Sequence, residues 1–207
     1  MGKPVSQFMM KMRVRVKRRL KEAASRVRAT SAHFPAWRSR SGSAAIEFAF
    51  IAPIFFLFLM ATMETGLIYL GNFVLQNATD DAARQIRTGQ VAASNMTQAQ
   101  FRTLICNGIA PLLACDGKLQ IDVETFPSFA AASITSPLTA GGGLDPTLTG
   151  WAPGAACGVV LVRAFYSWNV ATPLLTPFLV NMSGSNHLLS AAAAFRNEPF
   201  NNAVAGC

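Results

Sequence analysis

From Phe48 to Met63 the chain reads Phe-Ala-Phe-Ile-Ala-Pro-Ile-Phe-Phe-Leu-Phe-Leu-Met-Ala-Thr-Met, without one charged side chain. With Ala44–Ile46 before it and Gly66–Leu70 after it, the mostly apolar stretch is about 27 residues long. As a helix it would reach roughly 40 Å, more than the ~30 Å of bilayer hydrocarbon. The pattern predicts a membrane-spanning helix that does not stop where the apolar run ends. Leu67, Leu70, Val74, Ala78, Ala82 and Ile86 recur at steps of three and four, while Asn72, Gln76, Thr79, Asp80, Arg84 and Arg87 fall mostly on the other side. One helix from near Ala44 to Thr88 follows, greasy all round in its first half and amphipathic in its second, with Gly89 as its stop. Pro53 removes one backbone donor inside it, so a kink or local loosening is expected there.

Beyond Gly89 the period changes. Thr97 caps a short helix over Gln98–Ile105. Leu119, Ile121 and Val123 alternate with Gln120, Asp122 and Glu124, as in a half-exposed strand. Val159–Trp168 is apolar on both sides except Arg163 and should be a central strand. Leu188–Phe195 is a third strand candidate, although its four alanines would equally suit a helix. Between them, Phe126–Pro153 is rich in Ser, Thr, Gly and Pro around Gly141-Gly142-Gly143 and reads as an irregular surface excursion. The expected fold class is α+β: a long N-terminal membrane-spanning helix continuing into a small antiparallel-sheet domain.

Charge then sorts the chain into parts. The net charge is +8, but residues 1–42 hold twelve Lys or Arg and one acid, Glu22, leaving about −3 for the rest. A nucleic-acid binder would spread its basic residues over a folded surface. This asymmetry fits a basic tail on one side of a membrane and a mildly acidic domain on the other, so no nucleic acid is expected as a partner. The basic flank orients the span with its N-terminus in the cytoplasm. The expected organisation is a basic cytoplasmic leader at 1–42, a transmembrane helix at 43–70, and a periplasmic α+β domain at 71–207 whose first helix runs to about 89. A cleaved export signal is the competing reading, but no clean Ala-x-Ala site follows the apolar run. Met9–Arg28 could also lie on the inner leaflet as a basic helix. Glu64 lies seventeen residues past Glu47, about 25 Å along a helix. It is either a solvated acid at the outer headgroups or a contact to a partner helix.

The cysteines Cys106, Cys115, Cys157 and Cys207 all lie beyond the apolar run. An even count in an oxidising compartment favours two disulfides, and of three possible pairings Cys106–Cys115 with Cys157–Cys207 would each clip a flexible element. Loop closure gives these roughly 2.7 and roughly 4.1 kcal/mol. A zinc site competes poorly, because there is no Cys-x-x-Cys and His187 has no second histidine nearby. No catalytic set is apparent: His33 is on the leader, Gly141–Gly143 lacks a phosphate-loop lysine, Asp80 and Asp81 point apart on a helix, and Asp122 with Glu124 is ordinary strand polarity. Neither an enzyme nor a cofactor or metal is expected.

Gly42, four residues and then Glu47 at the mouth of an apolar helix resemble the processing site of type IV pilins and pseudopilins. The wider run Gly42–Pro53, Glu64-x-Gly66, Ala82-Ala83-Arg84-x-Ile86-Arg87-x-Gly89, and more loosely Tyr166 and Arg196-Asn197-Glu198-Pro199, is similar to the TadE/TadG-like family, minor pseudopilins of the tight-adherence (Flp) pilus system. The resemblance implies an inner-membrane protein cut after Gly42 by a prepilin peptidase, with Ser43 as the new N-terminus, that assembles with other pilus subunits through Glu47, Phe48, Pro53 and Glu64. Phe48 stands where the major pilin of such systems has tyrosine, as suits a minor component. Physically, a lone carboxylate at a helix mouth in lipid is costly, and a freed amine on a neighbouring subunit would offset it. The alternatives are an uncleaved single-pass envelope protein with a partner-binding domain, or a mitochondrial inner-membrane protein with an Arg-rich transit peptide.

Overall fold

The computed structural model describes residues 40–110 and 112–200 of the chain. The leader readings at residues 1–39, including a basic helix over Met9–Arg28, therefore lie outside the described residues. The described residues divide into two units between Ala52 and Pro53. Helix α1, Arg40–Arg87, is continuous, four residues longer at its start than the pattern predicts. Pro53 sits inside it without ending it. The division between the units falls at this residue, which has no amide to return to the carbonyl of Ala49.

The second unit is α+β. Thr88 and Gly89 end α1, with Gly89 at φ 76°, and a Cβ there would lie 2.5 Å from the Phe200 ring, so the stop needs glycine twice over. A single turn, α2 (Gln90–Ala93), leads to α3 (Gln98–Ile109). Thr97 caps α3 in a reciprocal capping box with Gln100. The helix runs one turn beyond the expected Ile105 because Ile109 continues the buried stripe of Phe101 and Ile105. Cys106 is joined to Cys115 across 5.8 Å between Cα atoms, tying α3 to the segment before the sheet, as the spacing suggested.

Three strands, β1 (Leu119–Phe126), β2 (Val159–Asn169) and β3 (Asn186–Arg196), form an antiparallel sheet in the order β1-β2-β3. Register pairs Leu119 with Tyr166 and Val162 with Ala193. The expected central strand is central, and the alanine-rich segment is a strand. Two-residue alternation gives the sheet two faces. On one, Ile121, Val123, Val160, Val162 and Leu189 join Leu75, Ala82 and Ile86 of α1 and Phe101, Ile105 and Ile109 of α3 in one core. The other carries Val159, Leu161, Arg163 and Phe165, also buried, beneath the excursion between β1 and β2. That excursion is irregular apart from a 3-10 turn at Phe129–Ala131. It returns along the outer edge of β1, where Val123 N donates to Gly150 O (2.9 Å) and Ala152 N to Val123 O (2.9 Å). β1 keeps the expected alternation, with Leu119, Ile121 and Val123 buried and Gln120 and Glu124 half-buried; the departure is Asp122, which is buried on the polar face.

The buried stripe of α1 includes Ala78, Ala82 and Ile86 as the pattern predicts but departs from it nearer the uncharged run. Glu64, Ile68, Gly71, Leu75, Ala78, Thr79, Ala82, Ala83 and Ile86 face the domain, whereas Leu67 and Leu70 face outward. Around Leu67 and Leu70, next to the uncharged run, hydrophobicity marks no face, and there shape sets the docked side. Gly71 admits Leu189, and Ala78 lies against Gly108, where an added Cβ would come within 2.7 Å of the alanine methyl. Thr79 escapes penalty by donating to Leu75 O at 2.8 Å.

Candidate functional site

The residues of the expected processing site occupy the first unit. Ser43, Glu47 and Phe48 are exposed, and the Ser43 hydroxyl donates to Glu47 Oε1 at 3.0 Å. Gly42 and Ser43 are both helical. The stretch Gly42–Arg87 is long and apolar enough to cross a membrane, and none of its most apolar window is buried in the protein. Its one hydroxyl in the greasy run, Thr62, donates back to Phe58 O and Leu59 O, both at 2.9 Å, which leaves the surface effectively apolar.

Glu64 is not the solvated acid of the first reading. It is 6% exposed. Its Oε1 accepts from Ala171 N (3.1 Å) and, more weakly, from Trp168 Nε1 (3.5 Å), while Oε2 accepts from the Thr172 hydroxyl (3.0 Å). A carboxylate inside an apolar stretch thus finds its partners in the segment that follows β2. Sequence reasoning missed this anchor, since a run of uncharged residues after Asn169 carries no mark of an acid's partner. Beside it, Tyr166 donates to Ala114 O at 2.9 Å. Burial, with the Asp116 charge adding, pushes the phenol above its ordinary range, against the opposing pull of that hydrogen bond.

The helix also serves the edge of the sheet. Ser190 N donates to Asn72 Oδ1 (3.2 Å), and Ala192 exchanges two bonds with Gln76, N to Oε1 (3.3 Å) and O from Nε2 (3.2 Å). Two amides on the polar side of α1 thereby occupy backbone groups that would otherwise pair with another strand. Farther along, Glu198 N donates to Arg87 O at 2.9 Å and the two side chains pair at 3.6 Å. Asn197 donates to Pro153 O and Ala155 O, both at 3.0 Å. The Arg196–Pro199 motif thus straps the end of β3 to the end of α1. Between them opens a groove lined by Asp80, Asp81, Arg84, Arg87 and Ala193–Phe195.

A second ionic site lies under the excursion. Arg163 and Asp122, 2% and 1% exposed, form a buried pair joined through Nε (3.0 Å) and Nη2 to Oδ2. Nη2 also reaches Glu124 Oε1 (3.1 Å), Nη1 reaches Thr135, and Gly150 N donates to Asp122 Oδ1 at 2.8 Å. Asp122 is therefore not routine strand polarity. Its signal in the sequence was the lone arginine of an otherwise apolar strand, which demands an acid on the same face; register supplies Asp122 directly opposite. His187 Nδ1 meets Leu179 O at 2.5 Å. Among the described residues no group of three or more His, Cys, Asp or Glu could hold a metal. Cys157 is not a free thiol, and the other member of its expected pair, Cys207, lies outside the described residues.

Searches of curated proteins and of solved structures gave no significant match. The family model for TadE-like proteins matches residues 42–84, the stretch that holds the glycine, the acid and the apolar run described above. That stretch is about a fifth of the chain's length, and over it the chain is similar to TadE-like proteins.

Proposed function

We propose that this protein is a minor pseudopilin-like component of a tight-adherence (Flp) pilus system, held in the bacterial inner membrane by α1. The match over residues 42–84 carries the reading, and the bare apolar surface of the same helix supports it. Residues 1–42 are a basic cytoplasmic leader, 43–70 span the bilayer, and 71–207 form the periplasmic domain. The basic flank favours that orientation, with the cysteine-bearing domain in an oxidising compartment.

In this reading a prepilin peptidase cuts between Gly42 and Ser43. The freed α-amino group of Ser43 then faces Glu47 of an adjacent subunit, and two charges that are each costly in lipid become a pair that sets axial register. Glu47 is suited to the role: it is exposed, and the Ser43 hydroxyl bonds one of its oxygens, Oε1, so the other can accept from a cation. Phe48 and Pro53 would contribute to subunit packing on the same stretch. Glu64, engaged within its own chain, would fix the domain on the helix rather than reach a neighbour.

The competing reading is an uncleaved envelope anchor. The helical state of Gly42 and Ser43 favours it, because a helical peptide must unwind before a protease can take it as an extended strand. N-terminal sequencing of the protein extracted from membranes separates the two. A start at Ser43 is expected; a start within the leader would leave a simple single-pass anchor.

A further inference from the structure

We infer that the segment after β2, residues 170–180, is a second membrane contact that seats the domain on the lipid surface beside α1, through Leu174 and Phe178. The inference rests on the membrane reading of α1 and extends it. Leu174 and Phe178 are 70% and 83% exposed, four residues apart, on a 3-10 turn (Pro173–Leu175) that runs straight into one helical turn, α4 (Thr176–Leu179).

Three observations point to lipid as what covers them. The first is depth. Glu64 binds Ala171 and Thr172, so the segment is pinned level with that residue of α1. Exposed apolar side chains line the helix on both sides of this level: Phe58 before it, and Leu70 and Phe73 after it. Leu70, 47% exposed and the last residue of the proposed span, lies six residues beyond Glu64, roughly 9 Å along the axis. A bilayer that covers the helix as far as Leu70 therefore meets the pinned segment too.

The second is charge. From Ala164 to Phe195 there is no Asp, Glu, Lys or Arg, a gap that spans the whole segment. The third is the state of the backbone, which in a bilayer must be satisfied internally. Pro173 and Pro177 carry no N–H. Leu175 N donates to Thr172 O (3.0 Å), Thr176 N to Pro173 O, and Val180 N to Thr176 O (3.1 Å). Both hydroxyls are used, Thr172 on Glu64 and Thr176 on Pro173 O (2.7 Å). A short element that presents apolar side chains while its hydroxyls and several of its amides bond internally suits the headgroup–acyl boundary.

The test uses the full chain in phosphatidylcholine–phosphatidylglycerol vesicles, with and without bromine on the upper acyl chain, as a contact quencher of tryptophan. Three single variants are compared by the emission each adds to that of the parent protein. Phe178→Trp reports the segment, Phe58→Trp reports insertion of α1, and Phe129→Trp reports the opposite end of the sheet, about 25 Å away along β1. The added emission of F178W should fall roughly twofold in brominated vesicles, as for a ring 5–10 Å inside the boundary; that of F58W, deeper in the span, should also fall, while that of F129W should not change. Quenching of F58W without F178W overturns the inference and leaves the membrane reading standing. Loss of quenching at F58W overturns both. Emission of F178W that ignores bromine but shifts with the protein-to-lipid ratio would mean that a second copy covers the segment, and overturns it as well. So would equal quenching at F129W, since the contact would not be confined to this end of the domain.

Discussion

Arg163 and Asp122 show how a single residue choice can bind three parts of the fold. Removing two charges from water is costly, and the cost is met only because every donor and acceptor of the pair has a partner: each other, Glu124, Thr135 and the Gly150 amide. Gly150 belongs to the arrangement, since a Cβ there would sit 2.9 Å from Asp122 Oδ1. Asp122→Ala, which leaves the buried guanidinium only the half-exposed Glu124 as a counter-charge, should lose up to about 3–5 kcal/mol of stability in denaturant titration of the detergent-solubilised chain. Asp122→Leu combined with Arg163→Met should lose clearly less, because no charge is left buried alone. Tyr166 sets an alkaline limit. Burial raises its folded pKa above the ordinary value of about 10. Below that value the phenol is protonated in both states and the contribution is complete. As pH rises past it, the unfolded chain releases the proton while the folded chain still holds it, so stability falls through that window. The fall should be shallower in Tyr166→Phe, as denaturation midpoints measured from pH 9 to 11 would record.

At the scale of elements, α1 does two jobs on two faces. Its outward face keeps Leu67, Leu70 and Phe73 bare, while its inward face ends in small residues that let α3 and the sheet approach. Close approach at Ala78 and Gly108 is a steric condition rather than a hydrophobic one. Gly108→Leu should therefore separate α1 from α3 and lose roughly 1–3 kcal/mol, as a drop in the denaturation midpoint, although leucine is the better helix former by close to 1 kcal/mol. Much of this level is legible in the residues: the capping box at Thr97, the stop at Gly89, the central β2 and the Cys106–Cys115 clip all follow local rules. The docked face of α1 does so only at Ala78, Ala82 and Ile86, not next to the uncharged run. Where every position is apolar, no contrast marks which side turns inward, and the anchor on Glu64 is supplied from more than a hundred residues away.

At the scale of the whole molecule, the proposed role depends on a charge at the mouth of an apolar helix. Glu47→Ala should insert normally, since it removes the costly group. Its co-purification with other pilus subunits should fall at least about tenfold, because a neighbour's buried amine would then lack its partner, a loss worth about 3–5 kcal/mol. Unchanged co-purification would remove the pairing with the Ser43 amine. The apolar run, the basic flank, the glycine–acid spacing and the strand periods are properties of neighbouring residues, and so the sequence by itself determined that the chain has a membrane-length helix and an α+β domain. Only the tertiary structure decided which side of that helix is covered next to the uncharged run, that Asp122 and Glu64 are buried acids with partners, and that the segment after β2 lies level with the apolar span. Those facts depend on register and on contacts between distant residues, where shape and hydrogen-bond closure select among faces that hydrophobicity leaves equivalent.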